Sequence, residues 1–409
     1  MDMMLNGIKV LDITNNLAGP GTAAVLAEHG AEVIHIEKPH MGDDCRFFTP
    51  MVGEKTSYSH CYINRCKKSV VMDLKDPEAY ELLKKMIAET DIIIESNRPG
   101  VMTRLGLDYK TVSKIKPDII YCSVSAFGQT GPYATRAGYD VIAQAYSGIM
   151  DITGEPDGSP TKIGTAIGDY VGLLNAFGSI MTALYHRERT GVGQHVDISL
   201  ARGLLWMTAN FDYKITGKEA RRAGRFHNGL CPYGIFNRPS GGSIVIGAVN
   251  VKTWERLCQA MGREELISDP NYCTNDVRCA RRDEVIAIIE SWLDTQESVD
   301  KAAALLNEYG VPNNKVNSSK DLEKDPQALE CKWIAPQPAP DSIREKYSET
   351  LNPYGLADFS AAGIRRGKAP DLGQHNHEVL TRYGLSDEDV DRLWDKWHGV
   401  RKQAAPAAN

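Results

Sequence analysis

Residues 7–37 read GIKVLDITNNLAGPGTAAVLAEHGAEVIHIE, and their pattern decides the fold class. Gly7–Thr14 alternates like a strand, Asn15–Pro20 turns, Gly21–Gly30 has helical spacing that stops on glycine, and Ala31–Glu37 is a second strand. Strand, helix and strand in this order make a β-α-β unit, the building block of a parallel sheet. Gly19-Pro20-Gly21-Thr22-Ala23-Ala24 also fits the G-x-G-x-x-A dinucleotide fingerprint, with Glu37 closing the second strand. That match is discounted, because the turn ahead of it is long for the fingerprint and Pro20 removes an N–H from the phosphate cradle.

The same alternation continues outward. Ser69–Leu74, Asp91–Glu95 and Ile119–Ser125 are apolar runs of strand length, and Pro77–Glu89 is an amphipathic helix. The expected large domain is therefore α/β, Rossmann-like and doubly wound, with ligands at the carboxyl ends of its strands. Three loops lie at such ends: Asn15–Pro20, Ser96–Gly100 and Phe127–Pro132. Lys38, Arg46, Arg65, Lys67, Lys68, Arg98 and Arg104 recur near them, and read either as solvated surface charge or as a basic groove for an anion with phosphates. Beyond Thr208 the pattern changes. Residues 209–226 read as a polar, basic linker, and 227–325 as a smaller α+β domain with antiparallel strands about Gly241-Gly242. Residues 326–409 return to complete the large domain, 1–208, with C-terminal helices, and the tail from Lys402 is expected to fray.

Composition bounds the function. Hydrophobic and charged contents of 42% and 24% are ordinary globular values, and a net charge of −6 argues against nucleic acid or an anionic membrane as the main partner. No run approaches the roughly 18 apolar residues of a spanning helix, and Met1–Asn6 has no signal pattern, so a cytoplasmic location is expected. Nine cysteines without a C-x-x-C spacing read as reduced core thiols, and His375-Asn376-His377 lacks the further ligands of a metal site. Neither a metal nor a tightly bound cofactor is expected.

One acidic residue stands apart. In KIGTAIGDYVG, residues 162–172, Asp169 sits between glycines, after a short apolar run and before helical spacing that extends from Val171 to His186. From these residues alone Asp169 is either a helix N-cap or a reactive carboxylate held near N–H groups that stabilise negative charge.

The chain as a whole resembles the class III CoA transferases, the CaiB/BaiF family that includes formyl-CoA and carnitine CoA transferases. In the large domain the resemblance rests on GIKVLDIT with Ala18-Gly19-Pro20, LAEHGAEVIHIEKP at 26–39, GDDCR at 42–46, NRCKKSVVMDLK at 64–75 and RPGVMTRLGL at 98–107. SAFGQTGP at 125–132, GYDVIAQAYSG at 138–148, IGDYVG at 167–172 and RTGVGQHVDISL at 189–200 continue it. CPYGIF at 231–236, EYGVP at 308–312 and APDLGQHNHEVL at 369–380 carry it to the end, in the family's order.

The resemblance implies transfer of CoA from an acyl-CoA to a small carboxylic acid. Asp169 matches the family's nucleophile, which forms a mixed anhydride and then an aspartyl-CoA thioester. It implies oxyanion donors around Gly168 and at Gly241-Gly242, and an acidic residue near the centre, Asp140, which reads equally as a hydrogen-bonded turn residue. For CoA it implies Lys38 and Arg104, with Asn16, Met72, Ser96, Asn97 and Arg98 in more variable loops. It further implies an interlocked homodimer. Two departures from the formyl branch bear on the acid: Leu17 stands where that branch has Gln, and Ala137 where it has Lys. An apolar Leu17 beside the carboxylate fits a larger or less polar acyl group than formate or oxalate.

Two rival readings stay open. The α-methylacyl-CoA racemases resemble the same scaffold, but use a His beside the aspartate where this chain has Tyr139, and a phenol with a reference pKa near 10 is a poor base. A catalytically silent CoA-binding protein is the other.

Overall fold

In the computed structural model, which describes residues 3–209, 211–353 and 355–398, contacts divide the chain into two compact units. The first contains Met1–Gly148, Ile163–Ala209 and Leu329–Asn409; the second contains Ile149–Lys162 and Asn210–Ala328.

The first unit is built on six parallel strands: β1 (Lys9–Ile13), β2 (Glu32–Glu37), β3 (Lys68–Val71), β4 (Ile92–Glu95), β5 (Ile120–Ser125) and β6 (Gln194–Ser199). Their order is β3-β2-β1-β4-β5-β6, the doubly wound order in which the winding reverses between β1 and β4. Strands β1 to β5 were expected within a residue or three of these bounds. The edge strand β6 was not, because His195 and Asp197 interrupt its apolar run.

The β-α-β unit forms, with its helix shifted. Helix α1 spans Ala18–Glu28 and is buried along its whole length. The expected start was Gly21, but Gly19-Pro20-Gly21 is the first helical turn, where the missing N–H of Pro20 costs nothing because first-turn N–H groups lack helical partners. The glycines serve packing. A Cβ on Gly19 would lie 2.6 Å from the Thr14 side chain, and one on Gly21 would lie 2.4 Å from Leu173. This motif is a helix packed tightly on its sheet and neighbour, not a phosphate loop.

Two further helices complete the frame of the site. Helix α2 (Asp140–Tyr146) precedes α3 (Ile167–Thr190), which packs on α1 and on α4 (Leu200–Thr208). By length and composition α3 is apolar enough to cross a membrane, against the expectation for this sequence. Here it contributes Leu173, Ala176, Ile180 and Ala183 to the interior of the unit. On the other face of the sheet, Leu11, Ile36, Val70, Ile93 and Tyr121 pack with helix Pro77–Ala88 and with Leu393 and Trp397 of the C-terminal helix Asp387–His398. The Trp397 indole N–H donates to Asp76, which caps helix Pro77–Ala88, at 2.7 Å.

The second unit holds an antiparallel sheet of β7 (Tyr233–Asn237), β8 (Ser243–Gly247) and β9 (Asn313–Lys315), with Gly241 and Gly242 turning between the first two at φ of 111° and 90°. Helices Val251–Met261, Arg282–Thr295 and Val299–Glu308 cover it. The stretch expected as a linker belongs to this unit: Arg225 pairs with Glu290 at 2.7 Å, and Phe226 bridges to Gly234. The unit also takes up Ile149–Lys162, whose Asp151 pairs with Arg222 at 3.1 Å. The tail from Lys402 lies outside the described residues.

Gly193, just before β6, tests this packing. A Cβ there would lie 2.3 Å from the Ile119 carbonyl oxygen, and a backbone atom cannot swing aside. Gly193→Ala is expected to lower the free energy of unfolding by about 1–3 kcal/mol, read by urea denaturation.

Candidate active site

Because the winding reverses between β1 and β4, the chain leaves these neighbouring strands in opposite directions and opens a crevice at their carboxyl ends. Residues 15–17 after β1 and 96–99 after β4 line a cavity of about 300 Å³ there. Val124 to Ala126, Arg136, Tyr139, Leu200 and Asp169 close it. Asp169 is the single carboxylate in that lining among the described residues.

The loop after β1 is held from below by buried charge. Asp12 of β1, wholly buried, accepts from Lys67 at 2.7 Å and pairs with His35 of β2 at 2.9 Å, while His35 reaches Asp43 at 3.5 Å. Asp43 then accepts the backbone N–H of Asn16 at 2.9 Å and of Cys45 at 3.0 Å. Asn16 has φ of 75°, a left-handed conformation that asparagine tolerates. Its neighbour Asn15 is fixed through its own N–H on Ser96 at 2.9 Å, which couples the two cavity loops. The carboxylates hold His35 protonated, with its pKa pushed up to about 10, whereas the Asp12 carboxyl is held far below its usual range by His35 and Lys67 despite burial.

Asp169 is in the first turn of α3, not at its cap; the residue before the helix is Ala166. Burial, reinforced by the nearby Asp140 charge, raises its pKa to about 7. The helix N-terminus favours the ionised form by only about 0.3–1 kcal/mol, less than one pKa unit, so desolvation wins. Asp140 opens α2 and accepts the Gly168 N–H at 2.6 Å and the Gln144 amide at 2.6 Å. It does not line the cavity. It orients the turn that carries Asp169, and it occupies the Gly168 N–H that the sequence reading offered to an oxyanion. A Cβ on Gly168 would lie 2.9 Å from Asp140 Oδ1, so glycine is what allows this approach.

The other expected residues divide. Asn16, Leu17, Ser96, Asn97 and Arg98 line the Asp169 cavity. Asn97 also lines a second cavity of about 320 Å³ with Lys38 and Met72. Arg104 ends the short helix Val101–Arg104 and lines neither. Gly241 and Gly242 lie in the second unit. Among the other basic residues, Arg46 pairs with Glu37, Arg65 with Glu28 and Lys68 with Glu32, each at 2.6 Å, and Lys67 belongs to Asp12; these are structural ions rather than a groove. Two cations went unnoticed. Lys75 lines the second cavity, and Arg136 lines the first with its guanidinium 5.5 Å from the Phe127 ring and 5.4 Å from that of Tyr133. Their signal was position alone: Lys75 ends the NRCKKSVVMDLK phrase and Arg136 stands beside Ala137.

Residues 5–376 match CoA-transferase family III. The chain is 36% identical over 389 residues, 94% of its length and 87% of the relative's, to a succinyl-CoA:glutarate CoA-transferase of Mus musculus. It is 34% identical to a succinyl-CoA–D-citramalate CoA-transferase of Chloroflexus aurantiacus, covering 96% of this chain and 97% of that one. A crystal structure of a CaiB/BaiF family protein from Brucella suis superposes with a TM-score of 0.83 at 33% identity, covering 94% of this chain and all of that one. The chain therefore belongs to CoA-transferase family III. It is an acyl-CoA:carboxylate CoA-transferase.

The buried network makes a stability prediction. Lys67→Met leaves the Asp12 charge short of a partner and is expected to cost roughly 3–5 kcal/mol at pH 7, read by urea denaturation. In the native protein the contribution of protonated His35 is present in full below its unfolded pKa of 6.5 and is lost as pH rises through about 10.

Proposed function

We propose that Asp169 is the nucleophile of a CoA transfer that runs through covalent intermediates on its carboxylate. The observation that carries this reading is the cavity itself: one carboxylate, partly desolvated, at the switch point of a doubly wound sheet, with a pKa near neutrality. A carboxylate in water is a feeble nucleophile, and fixed placement with partial desolvation is what strengthens it.

The proposed steps balance. The Asp169 carboxylate attacks the thioester carbonyl, the C–S bond breaks, and CoA thiolate leaves with a mixed anhydride behind it. The thiolate attacks the Asp169 carbonyl of that anhydride, releasing the first acid and forming an aspartyl-CoA thioester. The acceptor carboxylate attacks this thioester, expelling thiolate and forming a second anhydride. Thiolate then attacks the acceptor's acyl carbon and frees Asp169. Each step places charge on a carbonyl oxygen, which needs a hydrogen-bond donor other than the Gly168 N–H, engaged by Asp140 at 2.6 Å.

For CoA, Lys75 and Lys38, the latter shared with the exposed Asp44 at 2.6 Å, supply the cations for the adenosine phosphates in the second cavity, with Met72 and Asn97 in its lining. Asn16, Ser96, Arg98 and Arg136 line the path to Asp169. Arg104, which lines neither cavity, stays in this reading only as the family resemblance implies it. Arg98 and Arg136 line the cavity, and no ion pair is shown for either among the described residues, although Arg136 lies over the Phe127 and Tyr133 rings. The acids in the relatives' names range from oxalate to glutarate, so the class carried over to this chain is a carboxylic acid. A homodimer is supported by the bare aromatic surface of the first unit, where Trp206 is 84% and Tyr185 65% exposed. The racemase reading gains nothing here, since no histidine lines the Asp169 cavity among the described residues.

The test is the pH dependence of the rate. Attack needs ionised Asp169, so kcat/KM is expected to fall tenfold per pH unit below an acid limb near 7. Asp169→Asn is expected to remove activity by at least about 10³-fold while leaving CoA binding in place. Linkage adds a readout free of catalysis. A carboxyl whose folded pKa is raised stabilises the protein below its unfolded pKa and loses that contribution as pH climbs through about 7. Asp169→Asn should therefore raise the thermal midpoint by a few degrees at pH 8 and have little effect at pH 4.5. An acid limb near 4, or an active Asn variant, counts against Asp169.

A further inference from the structure

Leu17 lines two cavities. On one side is the Asp169 cavity; on the other is a third cavity of about 200 Å³ bounded by Val25 of α1, Ile63, and Leu173 and Tyr170 of α3. Tyr170 follows Asp169 directly, and Leu173 lies one turn further along. The same helix thus offers its carboxylate to one cavity and an apolar wall to the other, and Leu17 lines both.

The two charged residues of the third cavity, Glu28 and Arg65, neutralise each other. Glu28 is wholly buried, and its Oε1 accepts from Arg65 Nε at 2.6 Å. Its Oε2 meets no protein donor. The pair brings no surplus positive charge, and the spare carboxylate oxygen repels a second anion. The third cavity therefore suits hydrocarbon.

Resting on Asp169 as the nucleophile, we propose that this third cavity is the acyl-chain pocket, and that the transferred acid is an aliphatic monocarboxylic acid whose chain passes Leu17 into it. At roughly 30 Å³ for a water-sized group, about 200 Å³ takes on the order of six such groups, which sets the chain at about four to six carbons. Donor acyl group and acceptor acid occupy the pocket in turn, so both are selected by it. Leu17 is the gate residue, and Val25 and Ile63 set the depth.

The experiment measures how fast individual thioesters load the protein, by rapid quench and intact mass spectrometry, for acetyl-, butanoyl-, pentanoyl-, hexanoyl-, succinyl- and glutaryl-CoA. Loading is expected to rise roughly fourfold per methylene from acetyl to pentanoyl, and pentanoyl-CoA is expected to outpace glutaryl-CoA. Val25→Phe fills the pocket and should lower the pentanoyl-to-acetyl ratio by at least about tenfold, with Ile63→Phe as a second variant that does the same from another wall. Thermal midpoints check that both variants are folded. Faster loading by succinyl- or glutaryl-CoA than by pentanoyl-CoA, or ratios unmoved in both folded Phe variants, overturns the pocket while leaving Asp169 as the nucleophile. Loading of no thioester, or equal loading in Asp169→Ala, overturns the nucleophile and the pocket with it.

Discussion

The ion cluster of Asp12, Lys67, His35 and Asp43 is the constraint on which the site depends. Four ionisable groups, almost wholly removed from water, face one another across β1, β2 and the segment before β3. Such a cluster is no cheap source of stability, because desolvating the charges offsets most of their attraction. What it supplies is position. Asp43 grips the Asn16 N–H, Asn15 is tied to Ser96, and the crevice between β1 and β4 is held open with Leu17 at its edge. Moving any one of these groups leaves a charge unpaired in the interior.

Opposite that rigid loop stands a carboxylate treated in the contrary way. Asp12 is surrounded by cations and stays ionised; Asp169 meets no cation at hydrogen-bonding distance among the described residues and is pushed toward neutrality by burial and by Asp140. One fold moves the pKa values of a buried aspartate and a half-buried one in opposite directions by what it places beside them. The first is thereby structural, and the second is the one to which the proposed function assigns the chemistry. Glycines at 168 and 172 allow this arrangement, since side chains there would meet Asp140 and Leu200.

Much of this was legible in the sequence, and the parts that were not share a cause. The parallel sheet followed from apolar runs alternating with helical spacing, and Asp169 stood out between its glycines. Helix α1 was misplaced at its start because Gly-Pro-Gly looks like a turn locally; only the close approach of Thr14 and Leu173 explains those glycines. Strand β6 was hidden because an edge strand can carry polar residues such as His195 and Asp197. The basic residues at 46, 65 and 67 looked like an anion groove, and their carboxylate partners lie 9 to 55 positions away, beyond the reach of any local pattern. Ile149–Lys162 gave no compositional sign that it belongs with residues after 210.

The central claim is that Asp169 becomes covalently acylated or thioesterified during turnover. Intact mass spectrometry of the protein mixed with acyl-CoA and quenched in hydroxylamine, followed by peptide mapping, tests it most directly. The account predicts a hydroxamate at Asp169 alone, absent in Asp169→Ala. A turning-over enzyme with no modification at Asp169, or with the modification on another residue, would contradict it.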